Sequence, residues 1–321
     1  MSVYTAVSPC DMAKALQQFN LGELLDLQGI QGGITNTNYF LTTLSSPLAA
    51  PQRFVLTLFE TISLPEVQAY LALMQHVASK GFTAPAPIAQ TNGQLAFMLS
   101  GKPACLVSCL SGKEVEIPNL KQAASAGATL AQFHLAAADF AQPLPDERSR
   151  TWRQKTGDFL IQNHVLPTHL AANLAQELAD DAAFDDSGLP QGVIHADYFK
   201  DNVLMQGDAT SGVIDFYYAC YGSLIYDVAV AVNDFARLAN GQIDTELSHA
   251  FLTAYQRVRT YTPAEHQAWP QILRLAALRF WLSRLQDFYY PNAGEMTFIK
   301  PPAAFETLII NYRTGHFPPL P

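Results

Sequence analysis

The sequence predicts an α+β fold of two lobes, with a β-rich N-terminal lobe followed by a mostly helical C-terminal lobe. Three observations lead to this prediction. The chain has 321 residues, of which 49% are hydrophobic, and this is enough to form two buried cores of ordinary size. Short runs of β-forming residues separated by turn signals dominate the first hundred residues, and helical periodicity dominates after Ser111 and Gly112.

The N-terminal lobe is predicted to contain several strands and one long helix. Runs rich in Val, Leu, Phe, Tyr and Thr predict strands over residues 38–43, 53–59, 96–100 and 104–110. Ser63 and Glu66 have the spacing of a capping box, and the apolar residues that follow recur at helical spacing as far as Gly81. We therefore expect a helix between the second and third of these strands.

The C-terminal lobe is predicted to be mostly helical. Apolar periodicity and capping residues predict helices over residues 119–138, 168–181, 226–238, 245–258 and 262–290. The last of these begins with the capping-box spacing of Thr262 and Glu265. Strands are expected here only at 192–194, 203–205 and 212–216. The predicted organisation is an N-terminal lobe over residues 1–106, a hinge over 107–112 and a helical lobe over 113–321.

The composition and charge of the chain indicate which classes of ligand to expect. The formal net charge is −9 and the basic residues form no cluster suited to phosphate backbones, so we expect no binding to nucleic acid. The most apolar stretches, 226–238 and 272–285, are interrupted by charged residues and predict buried helices, so we expect no membrane association. The spacing of the four cysteines and the absence of a signal-peptide pattern favour a cytoplasmic protein. A small-molecule ligand is expected, and the sequence does not decide between a monomer and a homodimer.

One segment carries residues suited to phosphoryl transfer. Such a transfer needs one carboxylate to orient the attacking hydroxyl, and oxygen ligands to hold a metal ion on the phosphates. Asp197 lies five residues before Asn202, and Asp215 follows after a predicted two-stranded hairpin. A loop, a hairpin and a returning loop can bring these three side chains together. The sequence therefore predicts a compact site for a metal ion and a phosphoryl donor.

The same residues resemble the motifs of a known superfamily. The pattern His195-x-Asp197-x4-Asn202 and the tripeptide Ile214-Asp215-Phe216 resemble the catalytic loop and metal-binding motif of the aminoglycoside phosphotransferase and choline kinase superfamily. The resemblance implies a protein-kinase-like fold, with ATP as the phosphoryl donor and Mg²⁺ as the metal ion. It also implies roles for individual residues: Asp197 as the catalytic base, Asn202 and Asp215 as Mg²⁺ ligands, His195 as an organiser of the loop, and Asp227 as a buried brace.

In that family the N-terminal lobe covers the nucleotide, but its phosphate-binding features are incomplete here. Backbone N–H groups of a glycine-containing loop between the first two strands can approach phosphates, and this loop contains Gly32, Gly33, Ile34, Thr35 and Asn36. The loop lacks a strict G-x-G-x-x-G pattern, so a simple hairpin turn stays an alternative. The superfamily usually places a phosphate-binding lysine on the third strand, where this chain has Thr57.

Thr57, in place of the usual lysine, points to one family within this superfamily. The V-L-T-L-F-E strand around Thr57, the D-Y-F-K-D-N-V-L run from Asp197 and the I-D-F-Y-Y-A-C run from Ile214 are similar to segments of bacterial homoserine kinases. This resemblance spans nearly the whole chain and implies transfer of the ATP γ-phosphate to the side-chain hydroxyl of L-homoserine, a step of threonine biosynthesis. The alternatives are another small-molecule kinase, acting on choline, ethanolamine, a sugar or an aminoglycoside, and a catalytically weak nucleotide-binding pseudokinase.

The residues that bind the acceptor are less well defined by the sequence. Asp227 and Asp234 are seven residues apart, so on one helix they share a face, and Asp234 is a candidate partner for the substrate ammonium. Arg279 and Arg284 are candidates for its carboxylate, but about 140° separates them on a helix, so we do not expect both to face one ligand. Tyr217, next to the metal-binding motif, is a candidate for lining the acceptor pocket. For each of these residues an ordinary structural role is the alternative.

Overall fold

The computed structural model describes residues 4–30, 35–291 and 301–321. Within these ranges the chain forms two compact units, one with the described residues up to Ser111 and the other with those from Gly112 onward. The first unit is built around an antiparallel sheet and the second mostly of helices, which confirms the predicted α+β class. No helix in these ranges is long and apolar enough to cross a membrane.

The first unit contains an antiparallel sheet with a buried face. Side chains of its second strand alternate between buried and half-buried, as a strand with one face on the core requires. Leu41, Leu56 and Leu106 are fully buried in this core. The strands are β1 (Glu23–Gly29), β2 (Thr37–Leu44), β3 (Gln52–Leu58), β4 (Ala96–Leu99) and β5 (Lys102–Ser108), in the spatial order β1-β2-β3-β5-β4.

Two helices, α1 (Pro9–Leu16) and α2 (Leu64–Ser79), accompany this sheet. The predicted capping box of α2 is confirmed, because the Ser63 N–H donates to Glu66 Oε2 at 2.8 Å while the Ser63 side chain caps the first turn. The helix ends where Gly81 adopts a φ of +86°, a left-handed conformation that favours glycine. Glu66 is therefore committed to the start of α2.

The second unit contains most of the helices. Helix α8 begins at a second predicted capping box, in which the Thr262 N–H donates to Glu265 Oε2 at 2.8 Å. Helices α3 and α7 approach so closely that a Cβ atom on Gly127 would lie 2.1 Å from the Phe251 carbonyl oxygen. The helices are α3 (Leu120–Ala136), α4 (Arg150–Gln162), α5 (Thr168–Ala183), α6 (Leu224–Phe235), α7 (Thr245–Val258), α8 (Pro263–Tyr289) and α9 (Ala303–Arg313).

Two of these helices, α4 and α9, are absent from the sequence-based prediction. Helix α4 buries only Arg153, Gly157 and Leu160, so its apolar periodicity is weak. It is held by a charged contact, because Arg153 donates to both carboxylate oxygens of Asp181, at 2.7 and 2.8 Å. Such a pairing between two helices leaves no periodic signal in the sequence.

Two small sheets complete the second unit and position its loops. Strand β6 (Gln191–Ile194) pairs with β9 (Cys220–Ser223), and β7 (Val203–Gln206) pairs with β8 (Ala209–Val213). The predicted hairpin is therefore confirmed, but β8 ends at Val213. The residues that follow, Ile214 to Phe216, are not part of the strand and lead into a turn at Tyr217 and Tyr218.

Candidate active site

The residues of the predicted motifs lie in one loop and at the end of one hairpin. The loop connects β6 to β7 and is called here the 195–202 loop. Because Val203 lies opposite Val213 in the hairpin, Asn202 comes next to Ile214, whose N–H donates to the Asn202 carbonyl at 3.0 Å. The hairpin thus brings Ile214 back to Asn202 at the end of the loop, and Asp215 is the next residue in the chain.

Asp227 anchors the start of the 195–202 loop. Its carboxylate is fully buried near the N-terminus of α6 and accepts the N–H groups of His195, at 2.7 Å, and of Ala196, at 2.9 Å. His134 Nε2 lies 3.0 Å from the same carboxylate. Ala196 has a φ of +61°, so these contacts hold a strained turn in place. The role of Asp227 as a brace, which the resemblance implied, stays a prediction, and these contacts support it.

Asp234 anchors the other end of the loop. It shares a face of α6 with Asp227, as the spacing predicted, and its Oδ2 accepts the Lys200 N–H at 3.0 Å. Its Oδ1 lies 3.4 Å from Nη2 of Arg237. Both oxygens thus serve protein donors, which gives Asp234 a structural role at this end of the loop, and its role as an ammonium partner stays a prediction. Sequence patterns do not reveal the structural role, since the donor is a backbone N–H group.

His195 is buried beneath the loop in its neutral form. Its Nε2 donates to the Ile214 carbonyl at 3.0 Å, and burial lowers the pKa of the imidazole. Its ring packs edge-on against Tyr198 and at a tilt against Phe216, with centroid distances of 5.7 and 4.9 Å. Nδ1 has no partner among the described residues. This arrangement suits a side chain that ties the loop to the segment before Asp215.

Asn202 and Asp197 are joined across the loop. The Asn202 amide nitrogen donates to the Asp197 carbonyl at 2.9 Å and to Asp197 Oδ2 at 3.2 Å. With its nitrogen engaged in this way, the ligand that Asn202 can offer to a metal ion is Oδ1. The loop therefore presents one carboxylate and one amide oxygen side by side.

Asp215 completes the acidic group. It has a φ of +64°, uncommon for a residue other than glycine, and the Tyr217 N–H donates to its carboxylate. Burial raises the pKa of Asp215 to about 7, and the nearby carboxylates of Asp197 and Asp201 contribute. Carboxylates held this close repel one another. A bound divalent cation would relieve this repulsion.

The chemistry of these residues fits a magnesium ion. No cluster of three His, Cys, Asp or Glu side chains in the described parts of the chain is arranged to hold a metal by itself. Mg²⁺ in nucleotide-dependent enzymes is bound in another way, by one or two carboxylates together with phosphate oxygens and water. Asp215 and Asn202 Oδ1 supply a partial ligand set of this kind.

In the first unit, the position of the expected lysine is occupied by a hydroxyl. Thr57 on β3 is buried and donates to Asn38 Oδ1 on β2 at 2.7 Å. The nearby Lys102 is paired with Glu60 at 3.1 Å. Thr35 and Asn36 lie in the bend before β2, and Gly32, Gly33 and Ile34 lie outside the described residues.

The two candidate arginines of α8 have different surroundings. Arg279 is 6% exposed, and its guanidinium lies 3.8 Å from the Phe280 ring centroid and 5.3 Å from that of Tyr218. Arg284 lies over the Phe305 ring at 4.3 Å and donates to the Pro301 carbonyl at 3.3 Å. Burial lowers the pKa of Arg284 to about 10, and Arg237 contributes to this shift. The two side chains contact different rings, but the charge of Arg279 also contributes to the lowered pKa of Arg284, so their expected divergence stays a prediction.

Sequence reasoning missed His134 on α3. Its Nε2 contacts Asp227 and its Nδ1 lies 2.7 Å from the Tyr255 hydroxyl, so it links the Asp227 carboxylate to α7. A lone histidine in a helix carries no spacing signal, and only the fold brings it to Asp227. Tyr217 donates its backbone N–H to Asp215, and its role in lining an acceptor pocket stays a prediction.

Comparison with known proteins gives this geometry a context. The profile of the phosphotransferase enzyme family matches residues 26–261. A homoserine kinase from Methylobacillus flagellatus is 47% identical over 96% of this chain and 94% of its own length. A homoserine kinase from Neisseria meningitidis serogroup B is also 47% identical, over 97% of this chain and 99% of its own length.

Solved structures are similar in fold. An amicoumacin kinase, solved with AMP-PNP, Ca²⁺ and amicoumacin, superposes with a TM-score of 0.69 at 14% identity, covering 96% of this chain and 92% of that one. At this level of identity the similarity shows the fold alone, and it confirms a protein-kinase-like architecture. The family profile and the two sequence relatives show that the chain belongs to the phosphotransferase enzyme family and, within it, to the homoserine kinase family.

Proposed function

We propose that this protein transfers the γ-phosphate of ATP to the side-chain hydroxyl of L-homoserine, giving O-phospho-L-homoserine. The observation that carries the proposal is the 47% identity to homoserine kinases over 96% and 97% of the chain, with Asp197, Asn202 and Asp215 held together. The reaction is a step of threonine biosynthesis.

Asp197 is the catalytic base in this proposal. Its carboxylate orients the acceptor hydroxyl and takes the hydroxyl proton while the oxygen attacks the γ-phosphorus and the bond to the ADP oxygen breaks. The Asn202 amide supports this role because it holds Asp197 Oδ2 at 3.2 Å. His195 is a positioning residue, since its Nε2–H group is committed to the Ile214 carbonyl.

Asn202 Oδ1 and Asp215 are the residues to which we assign Mg²⁺. The bound ion would neutralise charge on the transferred phosphoryl group and on ADP. The repulsion that raises the pKa of Asp215 to about 7 supports a cation at this place. The presence of Ca²⁺ with AMP-PNP in the structure of amicoumacin kinase is consistent with a divalent ion beside the nucleotide.

Nucleotide phosphates are assigned to the N-terminal lobe, residues 1–106. Its contacts would come from backbone N–H groups of Gly32, Gly33, Ile34, Thr35 and Asn36. Thr57 brings a hydroxyl in place of the usual lysine, so in this proposal charge neutralisation rests more heavily on the metal ion. Residues 107–112 serve as the hinge, and the catalytic and acceptor-binding groups belong to 113–321.

The other functions considered have weaker support. A nucleotide-binding protein without transfer activity has no chemical need for Asp197 and Asn202 to be hydrogen-bonded beside Asp215. A kinase for a cationic acceptor such as choline would favour an acidic or aromatic pocket. The buried guanidinium of Arg279, which lies against Tyr218 three residues after Asp215, disfavours such an acceptor.

The test is ADP release from Mg-ATP across a panel of L-homoserine, L-serine, L-threonine, choline, ethanolamine and hexoses. We expect strong stimulation by L-homoserine, with O-phospho-L-homoserine identified by mass spectrometry. An Asp197→Asn variant measures the background. If another acceptor on the panel is turned over faster than L-homoserine, the proposed substrate is wrong while kinase activity stands.

A further inference from the structure

Two arginines approach one tyrosine ring beside the metal-binding motif. The guanidinium carbons of Arg148 and Arg279 lie 5.8 and 5.3 Å from the centroid of Tyr218. Tyr218 follows Asp215 by three residues, a length of chain that spans at most about 10 Å. Positive charge is therefore concentrated close to the carboxylates that we assign to phosphoryl transfer.

Arg279 makes no direct ion pair of the kind that other arginines of this unit make, although the carboxylate of Asp146 lies within range of its charge. It is 6% exposed, yet it makes no ion pair or hydrogen bond with its side chain to any described residue. By contrast, Arg153 pairs with Asp181, Arg259 with Glu265 and Arg274 with Glu177. A buried guanidinium without an anion is costly, and such a group is suited to bind one from a ligand.

Arg148 gives a second, independent indication. Its Nε atom is buried and finds no acceptor in the described parts of the chain. Its guanidinium lies 4.6 Å from the Trp152 ring centroid, so the aromatic contacts fix its plane without using its N–H groups. Two guanidinium groups therefore lie near the same tyrosine ring, and one of them has a buried N–H group without an acceptor among the described residues.

A carboxylate lies within electrostatic range of these arginines. Burial raises the pKa of Asp146, and the positive charges of Arg153, Arg279 and Arg148 oppose this rise. Its Oδ1 accepts the backbone N–H of Arg148 at 3.1 Å, and its side chain forms no direct ion pair with an arginine in the described parts of the chain. Opposite charges are thus placed side by side, an arrangement suited to a zwitterion.

We propose that Arg279 and Arg148 bind the α-carboxylate of the acceptor amino acid beside Tyr218, and that Asp146 binds its α-ammonium. This inference rests on the proposed function. In L-homoserine the carboxylate carbon is four bonds from the hydroxyl oxygen, a reach of about 5 Å, so head group and reacting oxygen occupy neighbouring places. The arginines would then set specificity for an amino acid over a simple amino alcohol.

The test compares L-homoserine with L-homoserinamide, whose carboxylate is replaced by a neutral amide. In the wild-type protein we expect kcat/KM to fall about 100-fold for the amide, because the charge-assisted contact to Arg279 is lost. In Arg279→Met the KM for L-homoserine rises about 100-fold while the value for the amide changes little. For Arg279→Lys we expect a KM for L-homoserine between those of the wild-type protein and Arg279→Met. Where turnover of the amide is below detection, its inhibition constant against L-homoserine replaces kcat/KM.

Two further variants keep the test valid if Arg279→Met folds poorly. Arg148→Met should reduce discrimination between acid and amide about tenfold. Asp146→Asn should instead reduce discrimination between L-homoserine and 4-hydroxybutanoate, which lacks the ammonium. Arg53→Met is the matched control, since Arg53 also lies over an aromatic ring, Phe40 at 3.6 Å, but belongs to the other unit. It should leave both ratios unchanged.

The outcomes separate the two proposals. If wild-type protein phosphorylates L-homoserine and the Arg279 and Arg148 variants lose activity equally on acid and amide, these arginines are structural and the inference is overturned. If the wild-type protein does not discriminate between acid and amide, the inference fails in the same way. If L-homoserine is not an acceptor at all, the proposed function is wrong, and the inference falls with it.

Discussion

Asp227 Oδ2 accepts the backbone N–H of His195 at 2.7 Å, although the two residues are separated by a complete hairpin and a strand. The carboxylate also accepts the Ala196 N–H and contacts His134, and all of it is buried. The conformation at the start of the 195–202 loop therefore depends on one side chain of α6. This dependence makes stability and turnover respond to the same substitution.

Asp227→Asn should lower both quantities. The amide keeps one acceptor oxygen and places an N–H₂ group opposite donors, so the free energy of unfolding should fall by about 3 kcal/mol. We expect kcat to fall as well, because the start of the loop is no longer fixed. Urea unfolding and steady-state kinetics measure the two effects. An unchanged unfolding midpoint would show that the loop does not need this anchor.

Asp197→Ala should remove turnover and leave nucleotide binding largely intact. Removal of a general base typically costs about 10²- to 10⁴-fold in rate, and Asp197 is not among the residues that we assign to Mg²⁺. ADP release and calorimetric titration with AMP-PNP separate the two properties. Asp208→Asn is a suitable control, since Asp208 is an exposed aspartate whose carboxylate lies 3.3 Å from Lys121. A variant with near wild-type kcat would disprove the mechanism.

Removal of divalent metal should abolish activity, and the response should depend on Asp215. Chelation by EDTA should stop ADP release, and added Mg²⁺ should restore it. In Asp215→Asn, the loss of one anionic ligand should raise the Mg²⁺ concentration for half-maximal rate at least about tenfold. The measurement is a Mg²⁺ titration at saturating ATP. Identical titration curves for variant and wild-type protein would contradict the assignment.

Ser63→Ala should destabilise the protein in a pH-dependent way. The change removes the N-cap of α2 and should cost about 1 kcal/mol near neutral pH. Hydrogen bonds from Ser63 hold the pKa of Glu66 below its ordinary value of 4.5. A carboxylate whose pKa is lower in the folded state stabilises the protein above its unfolded-state pKa, and this stabilisation is lost as the pH falls through its folded-state pKa. The difference in unfolding free energy between wild type and Ser63→Ala should therefore shrink below about pH 4.5.

Urea unfolding at pH 7 and pH 4 measures this effect. Ser79→Ala, at the other end of α2, is the control, because its hydroxyl donates only to the His76 carbonyl within the helix. A difference that grows as the pH falls would show that the capping box is not linked to Glu66.

Gly127→Ala should be destabilising because of the close approach of α3 and α7. The new Cβ would lie 2.1 Å from a backbone oxygen that cannot move independently, and overpacking of this kind costs about 1–3 kcal/mol. Gly188→Ala is the matched control, since nothing lies within 4 Å of its added Cβ. Thermal unfolding of both variants measures the difference. Equal melting temperatures would mean that the helices separate without cost.

The sequence allowed prediction where the signal was local. Capping boxes at Ser63 and Thr262, and the spacing from Asp197 to Asn202, involve residues close in the chain, and the structure has them as predicted. The contact of Asp234 with the Lys200 N–H was not predicted, because its partner is a backbone group, which no side-chain pattern reveals. The contacts of His134 and the neighbourhood of Arg279 and Tyr218 depend on packing between distant segments. Such relationships become visible only when the fold is known.

Helix α6 carries the anchors for both ends of the 195–202 loop, about 10 Å apart along its axis. A rotation or shift of this helix would move Asp227 and Asp234 together, so the loop would be displaced as one piece and not distorted at one end. Substitutions in the buried apolar face of α6 would therefore alter the reaction rate without touching either substrate. For protein engineering, this helix offers a way to tune turnover from outside the site.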